Sequence, residues 1–140
     1  MPQMADIIVK KADGTTNITY SQQSPSSGDK TPAVWKSRTA GTAIAFQPEL
    51  RVSAQGGSGP IAPAQSGPVR RIKATYYYPQ LVTNTTNSVT SVHRQEMASA
   101  DFTVPADMAA TDVAEAAQQF ANLLASALVQ ACVKEGYAAS

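Results

Sequence analysis

The chain predicts an α+β fold in which antiparallel strands come first and a helical region closes the sequence, its apolar stripe covering one face of a sheet. Three observations carry this. Period-two alternation occupies much of the chain up to residue 104, an Asp-Gly turn signal stands near the N-terminus, and from residue 112 the apolar period changes to about 3.6. At 140 residues the chain suits one domain with a single core and is too short for two ordinary ones. We divide it into a hairpin over 5–21, a sheet over 33–104 and a helical region over 111–136. Charged residues make up 15% and aromatic residues 6% of the chain, which suggests a fold whose stability depends partly on a partner subunit.

In "DIIVKKADGTTNITY" two β-prone runs flank Ala12-Asp13-Gly14-Thr15, and Asp-Gly tolerates the positive φ that a tight hairpin needs. Residues 21–32, "SQQSPSSGDKTP", are turn formers and are expected to be a loop, followed by a short strand at "AVWKSRT". Over 43–55, Ile44, Phe46, Leu50, Val52 and Ala54 share one parity while Gln47, Glu49, Arg51, Ser53 and Gln55 share the other, which predicts a half-buried strand with an edge or bulge at Pro48. Residues 56–68, "GGSGPIAPAQSGP", are expected to form a flexible loop. The next strand is "RRIKATYYYP", where three of eleven basic residues and three of five tyrosines fall within 70–79. Ile72, Ala74, Tyr76 and Tyr78 point one way; Arg71, Lys73, Thr75 and Tyr77 point the other. After Pro79, "QLVTNTTNSVTS" reads as a strand end, a loop and a new strand. That last strand spans roughly Val92 to Val104, with Ala98, Ala100, Phe102 and Val104 on one face and His93, Gln95, Met97, Ser99, Asp101 and Thr103 on the other.

From residue 112, Val113, Ala116, Ala117, Phe120, Leu123, Leu124, Ala127, Leu128 and Ala131 make an apolar stripe. Asp112 and Glu115 have capping-box spacing, and Gly136 is a natural stop. As one helix, 112–135 would be about 36 Å long, roughly the width of such a domain, so a break is expected near "LLASAL".

The chemistry of catalysis is thinly represented. The single histidine, His93, has no partner at local spacing, "GGSGP" lacks the Lys-Ser/Thr of a phosphate loop, and no metal-ligand spacing occurs. No catalytic residue, metal or cofactor is expected. Cys132 lies within the helical pattern and reads as a small hydrophobe. The N-terminus "MPQMADIIVKK" lacks a signal-peptide pattern and no apolar run approaches 18 residues, so a cytosolic chain without a membrane partner is expected.

Net charge is +1, but residues 1–100 carry ten Lys/Arg against five Asp/Glu, whereas 101–140 carry one against five. The two parts present different faces to different partners. One sheet face gathers Arg51, Ser53, Arg71, Lys73, Thr75, Tyr77, Ser99, Asp101 and Thr103. Such a face is either a solvated strand surface with β-forming tyrosines or a platform where cations meet phosphate and Tyr77 stacks a base. Periodicity alone does not decide whether the strands are neighbours.

The run "ADFTVPADMAATDVAEAAQQFANLLASALVQACVKEGYAAS" resembles the closing strand and terminal helices of single-stranded RNA bacteriophage (levivirus-like) coat proteins, with Asp112 after Thr111 at the helix start and "LLAS" in mid-helix. "VWKSR" resembles the family's short Trp-containing strand, "RRIKATYYYP" its lysine-bearing strand that ends in proline, and "QLVTNTTNSVTSV" its inter-subunit loop. The order of these short motifs carries the resemblance over most of the chain. It implies an N-terminal β-hairpin, an about five-stranded antiparallel sheet and two C-terminal α-helices or one bent helix. Two subunits would form an interlocked dimer with one continuous sheet, each subunit's helices lying across its partner. Many dimers would build an icosahedral shell around genomic RNA, in a virion assembled in the host bacterial cytoplasm, with the sheet inward.

Carried onto this chain, the RNA-facing candidates are Lys36 and Arg38 on the Trp-containing strand, Arg51 and Ser53 on the next, then Arg71, Lys73, Thr75 and Tyr77, with Ser99 and Asp101 on the last. The basic residues would meet phosphates; Tyr77, Thr75, Ser99 and Asp101 would read the bases of a hairpin that makes the protein a translational repressor. The chain departs from the family in its longer 56–68 loop, in Met97 near the family's tyrosine, and in an inter-subunit loop without cysteine. The alternative is a dimeric sheet-platform RNA-binding protein that does not assemble.

Overall fold

The structure, a computed structural model, describes residues 2–56 and 69–139. Six strands form one antiparallel sheet: β1 (Ile7–Lys10), β2 (Asn17–Ser24), β3 (Ala33–Lys36), β4 (Glu49–Gln55), β5 (Val69–Thr83) and β6 (Thr90–Pro105). Each strand lies beside its neighbour in sequence, in the order β1-β2-β3-β4-β5-β6. Two helices follow, α1 (Ala110–Leu124) and α2 (Ala127–Glu135). The α+β class and the order of elements agree with the expectation; the strand count is six rather than about five.

The first hairpin turns where Asp-Gly predicts. Gly14 adopts φ 71°, and Asp13 Oδ1 accepts from the Thr15 and Thr16 amides at 2.9 and 2.8 Å. Beyond it β2 is longer than expected. Ser21 to Ser24, assigned to a loop from composition, pair with β3 through Ser21↔Lys36 and Ser24↔Val34, with a bulge between Gln22 and Ser24. A strand partner satisfies these backbone groups, and that outweighs the low strand preference of the side chains.

The alternation over 43–55 overstates its strand. Ile44–Phe46 is a 3-10 turn, and β4 begins only at Glu49, after Pro48. Proline gives no amide to a ladder, while the Gln47 side-chain Nε2 donates to the Gly41 and Thr42 carbonyls at 3.1 and 3.3 Å and holds the turn. Conversely, Pro79 does not end β5. It pairs with Gln95 and the strand runs to Thr83. The last β4–β5 pair is Glu49↔Tyr77, so Pro79 lies where β5 has β6 on one side and no other described strand on the other, as the missing amide requires. Of the loop expected over 56–68, Gly56 is described and the rest lies outside the described residues.

The apolar parity of β5 and β6 coincides: Ile72↔Phe102, Ala74↔Ala100 and Tyr76↔Ala98 share the face toward α1. Phe120 meets Phe102 edge-on at 5.5 Å. Tyr20 of β2 reaches this face, with its hydroxyl 2.7 Å from that of Tyr76. Prolines apart, Tyr20 is the one buried hydrophobic residue among those described.

The helix starts at Ala110, with Ala109 as an N-cap that makes no side-chain hydrogen bond, so the Asp112/Glu115 capping box does not form. Asp112 instead lies in the first turn, where a carboxylate is favoured by the helix dipole, and Glu115 Oε1 accepts from Gln119 at 2.7 Å. The helical region is two helices rather than one bent helix. At the break the Ser126 hydroxyl donates to the Leu123 carbonyl at 2.6 Å, a local bond that competes with the helix ladder. Gly136 closes α2 at φ 76°, its amide bonded to the Cys132 carbonyl at 2.8 Å.

Candidate nucleic-acid interface

The register of β3 to β6 assembles the side opposite the helices into rows. One row runs Lys36–Glu49–Tyr77–Met97, the next Val34–Arg51–Thr75–Ser99, then Ser53–Lys73–Asp101 and Gln55–Arg71–Thr103. Nine of the ten candidate residues therefore share one face of four adjacent strands. The tenth, Arg38, is not on the Trp-containing strand but in a 3-10 turn, Arg38–Ala40, just beyond it. The chain turns there because the Ser37 side chain accepts from the Thr39 amide. Arg38 still lines a hollow of about 650 Å³ with Lys36, Gln47, Glu49 and Arg51.

Parity separates the neighbours of these residues. Arg70 lies on the helix side, lining a depression with Val104, Val113 and Ala117. Tyr76 and Tyr78 sit together on that side, 6.4 Å between ring centres. Tyr77 lies on the other, with the Arg51 guanidinium 5.4 Å from its ring centre.

The residue that organises this end of the face is Glu49, which sequence reasoning did not single out. It is 8% exposed. Its Oε2 accepts from Lys36 Nζ at 2.9 Å and its Oε1 accepts from Arg51 Nε. Desolvation alone would raise the carboxyl pKa, but hydrogen bonds from Lys36 and Arg51 and their charges outweigh it, so Glu49 titrates below its ordinary range. The Arg51 pKa is raised, first by the hydrogen bond to Glu49. Glu49 shares the parity of Arg51 in the sequence, but its pairing with Lys36 depends on the β3–β4 register. Met97, 67% exposed, stands opposite Tyr77.

Among the described residues no group of His, Cys, Asp and Glu could hold a metal ion, and no helix is long and apolar enough to cross a membrane. The face instead offers cations, hydroxyls and an aromatic ring on four adjacent strands, the chemistry that contacts phosphates, sugars and bases.

No protein-family profile matches the chain, and no curated protein matches it in sequence. Solved structures do. The chain is similar to the virus-like particle protein of bacteriophage ESE058, with 20% identity, TM-score 0.76 and coverage of 99% of this chain and 100% of that one. It is similar to that of Beihai levi-like virus 21, with 19% identity, TM-score 0.76 and 99% of both chains covered. The capsid protein of bacteriophage GA matches with 20% identity, TM-score 0.68 and 94% of both chains. Six antiparallel strands followed by two helices, matched over nearly the whole chain, give this protein the fold of the levivirus-like phage coat proteins.

Proposed function

We propose that this protein is a phage capsid protein that dimerises, assembles into a closed shell and packages single-stranded RNA against the β3–β6 face. The observation that carries the reading is the unfinished state of the single chain. Neither helix has a buried residue, and Phe120, Leu123, Leu128 and Val133 are 40%, 63%, 64% and 67% exposed. β6, sixteen residues long, pairs with β5 and with no other described strand. An apolar helix pair beside an open strand edge fits a second copy that continues the sheet and receives the helices.

The full-length match to proteins of virus-like particles supports assembly beyond the dimer. The basic, hydroxyl-rich opposite face supports RNA as the cargo, and a hairpin read by Tyr77, Thr75, Ser99 and Asp101 would add translational repression. The role is structural rather than catalytic. Expression of the chain alone, followed by sedimentation, nuclease treatment and electron microscopy, tests this. Closed shells of uniform size with nuclease-protected RNA are expected. Soluble dimers at every salt and RNA concentration would instead support the non-assembling RNA-binding alternative.

A further inference from the structure

We propose that Glu49 is a specificity-determining residue of this face: it withholds Lys36 from phosphate and fixes Arg51 beside Tyr77, so that this end of the platform selects unpaired bases over bare backbone. The inference rests on the RNA-binding role proposed above and assigns a task to an acidic residue within a basic surface.

Both carboxylate oxygens of Glu49 are engaged, Oε2 by Lys36 and Oε1 by Arg51. The cluster of two cations and one carboxylate has a net charge of +1, and the carboxylate repels any phosphate that approaches either cation. The Lys36 side chain is withdrawn, 19% exposed. Arg51 remains 50% exposed, but its Nε is held by Glu49 and its guanidinium lies beside the Tyr77 ring. A guanidinium held in this way beside an aromatic ring is prepared to stack with or bond a base, without first losing the freedom of its long side chain.

At the other end of the platform, Arg71 and Lys73 are exposed. Asp101 stands opposite Lys73 in the register, yet among the described residues the two form no ion pair. Among the strand cations of this face, phosphate binding therefore falls to Arg71 and Lys73, with exposed Arg38 in the turn beyond β3, and base selection is strongest at the end that carries Glu49.

The test compares wild type with Glu49→Gln, titrating a labelled single-stranded oligoribonucleotide and an RNA duplex of equal length over a series of salt concentrations. Release of Lys36 adds one phosphate contact, so the slope of log K against log salt on the single strand steepens by about 0.7. The affinity of the variant relative to wild type then grows about fivefold per tenfold dilution of salt. The preference for single strand over duplex falls in the variant.

An unchanged slope and preference, with RNA still bound by wild type, overturns this inference alone; a wild-type protein that binds no RNA overturns it together with the RNA-binding role. Amine-selective labelling of wild type, with and without RNA and read peptide by peptide, keeps the test independent of how the variant folds. RNA is expected to protect Lys73 and leave Lys36 unchanged. Equal protection of both contradicts the inference.

Discussion

At Glu49 the desolvation of a carboxylate is offset by two cationic donors, and this makes its contribution dependent on pH. Its folded pKa lies below the ordinary 4.5, so the stabilisation is complete above that value and is lost as pH falls through the folded pKa. At neutral pH, Glu49→Gln is expected to melt below wild type, because Lys36 and Arg51 lose their counter-charge. The two melting curves should converge as pH drops below 4.5; a constant gap would show that the ion pairs are not the source. A second prediction concerns Arg71 and Lys73. Replacing both with Ala removes two phosphate contacts, so the salt slope for single-stranded RNA should fall by about 1.4 while circular dichroism is unchanged. At this scale the sequence displays the faces of the strands well, because side-chain period two is local: Arg71, Lys73, Thr75 and Tyr77 lie together as their parity predicts. Glu49 stayed hidden because its partners come from two strands, and Arg38 was misplaced because a 3-10 turn interrupts the alternation after Lys36.

Among the elements, the most legible were those closed by local chemistry. Asp13-Gly14 fixes the first turn, and the carboxyl of Asp13 is lowered to about 2, mainly by the hydrogen bonds it accepts from the Thr16 hydroxyl and amide. Gly136 ends α2 in the left-handed region. Gly136→Ala should cost about 1–2 kcal/mol, the penalty of a Cβ in the left-handed region, read as a lower urea midpoint with unchanged m-value; no shift would mean that the helix end frays without this cap. Elements whose limits depend on a neighbouring strand were harder to place. Ser21–Ser24 looks like loop until β3 supplies its hydrogen bonds, and Pro79 looks like a strand end until the free side of β5 is known. The break at Ala125–Ser126 contains neither Pro nor Gly, and it was anticipated from helix length alone.

Over the whole molecule the helices are the part that a single chain leaves incomplete. Leu123→Asp combined with Leu128→Asp places two charges on the exposed apolar stripe. Sedimentation should then report loss of the dimer and of any larger assembly, whereas retention of both would place the interface elsewhere. Fold class and element order were legible because the switch from period two to about 3.6 is a property of the chain itself. The proposed partner surface was legible only as an apolar stripe, since which face a second copy would occupy is set by geometry between chains. Central to the account is a shell in which β3–β6 face the RNA and α1 and α2 join the subunits. An electron-microscopic reconstruction of particles purified after expression of this chain alone tests that claim most directly. It is expected to show closed shells with RNA density against Arg51, Arg71, Lys73 and Tyr77; shells that turn α1 and α2 toward the RNA, or no shells at all, would contradict it.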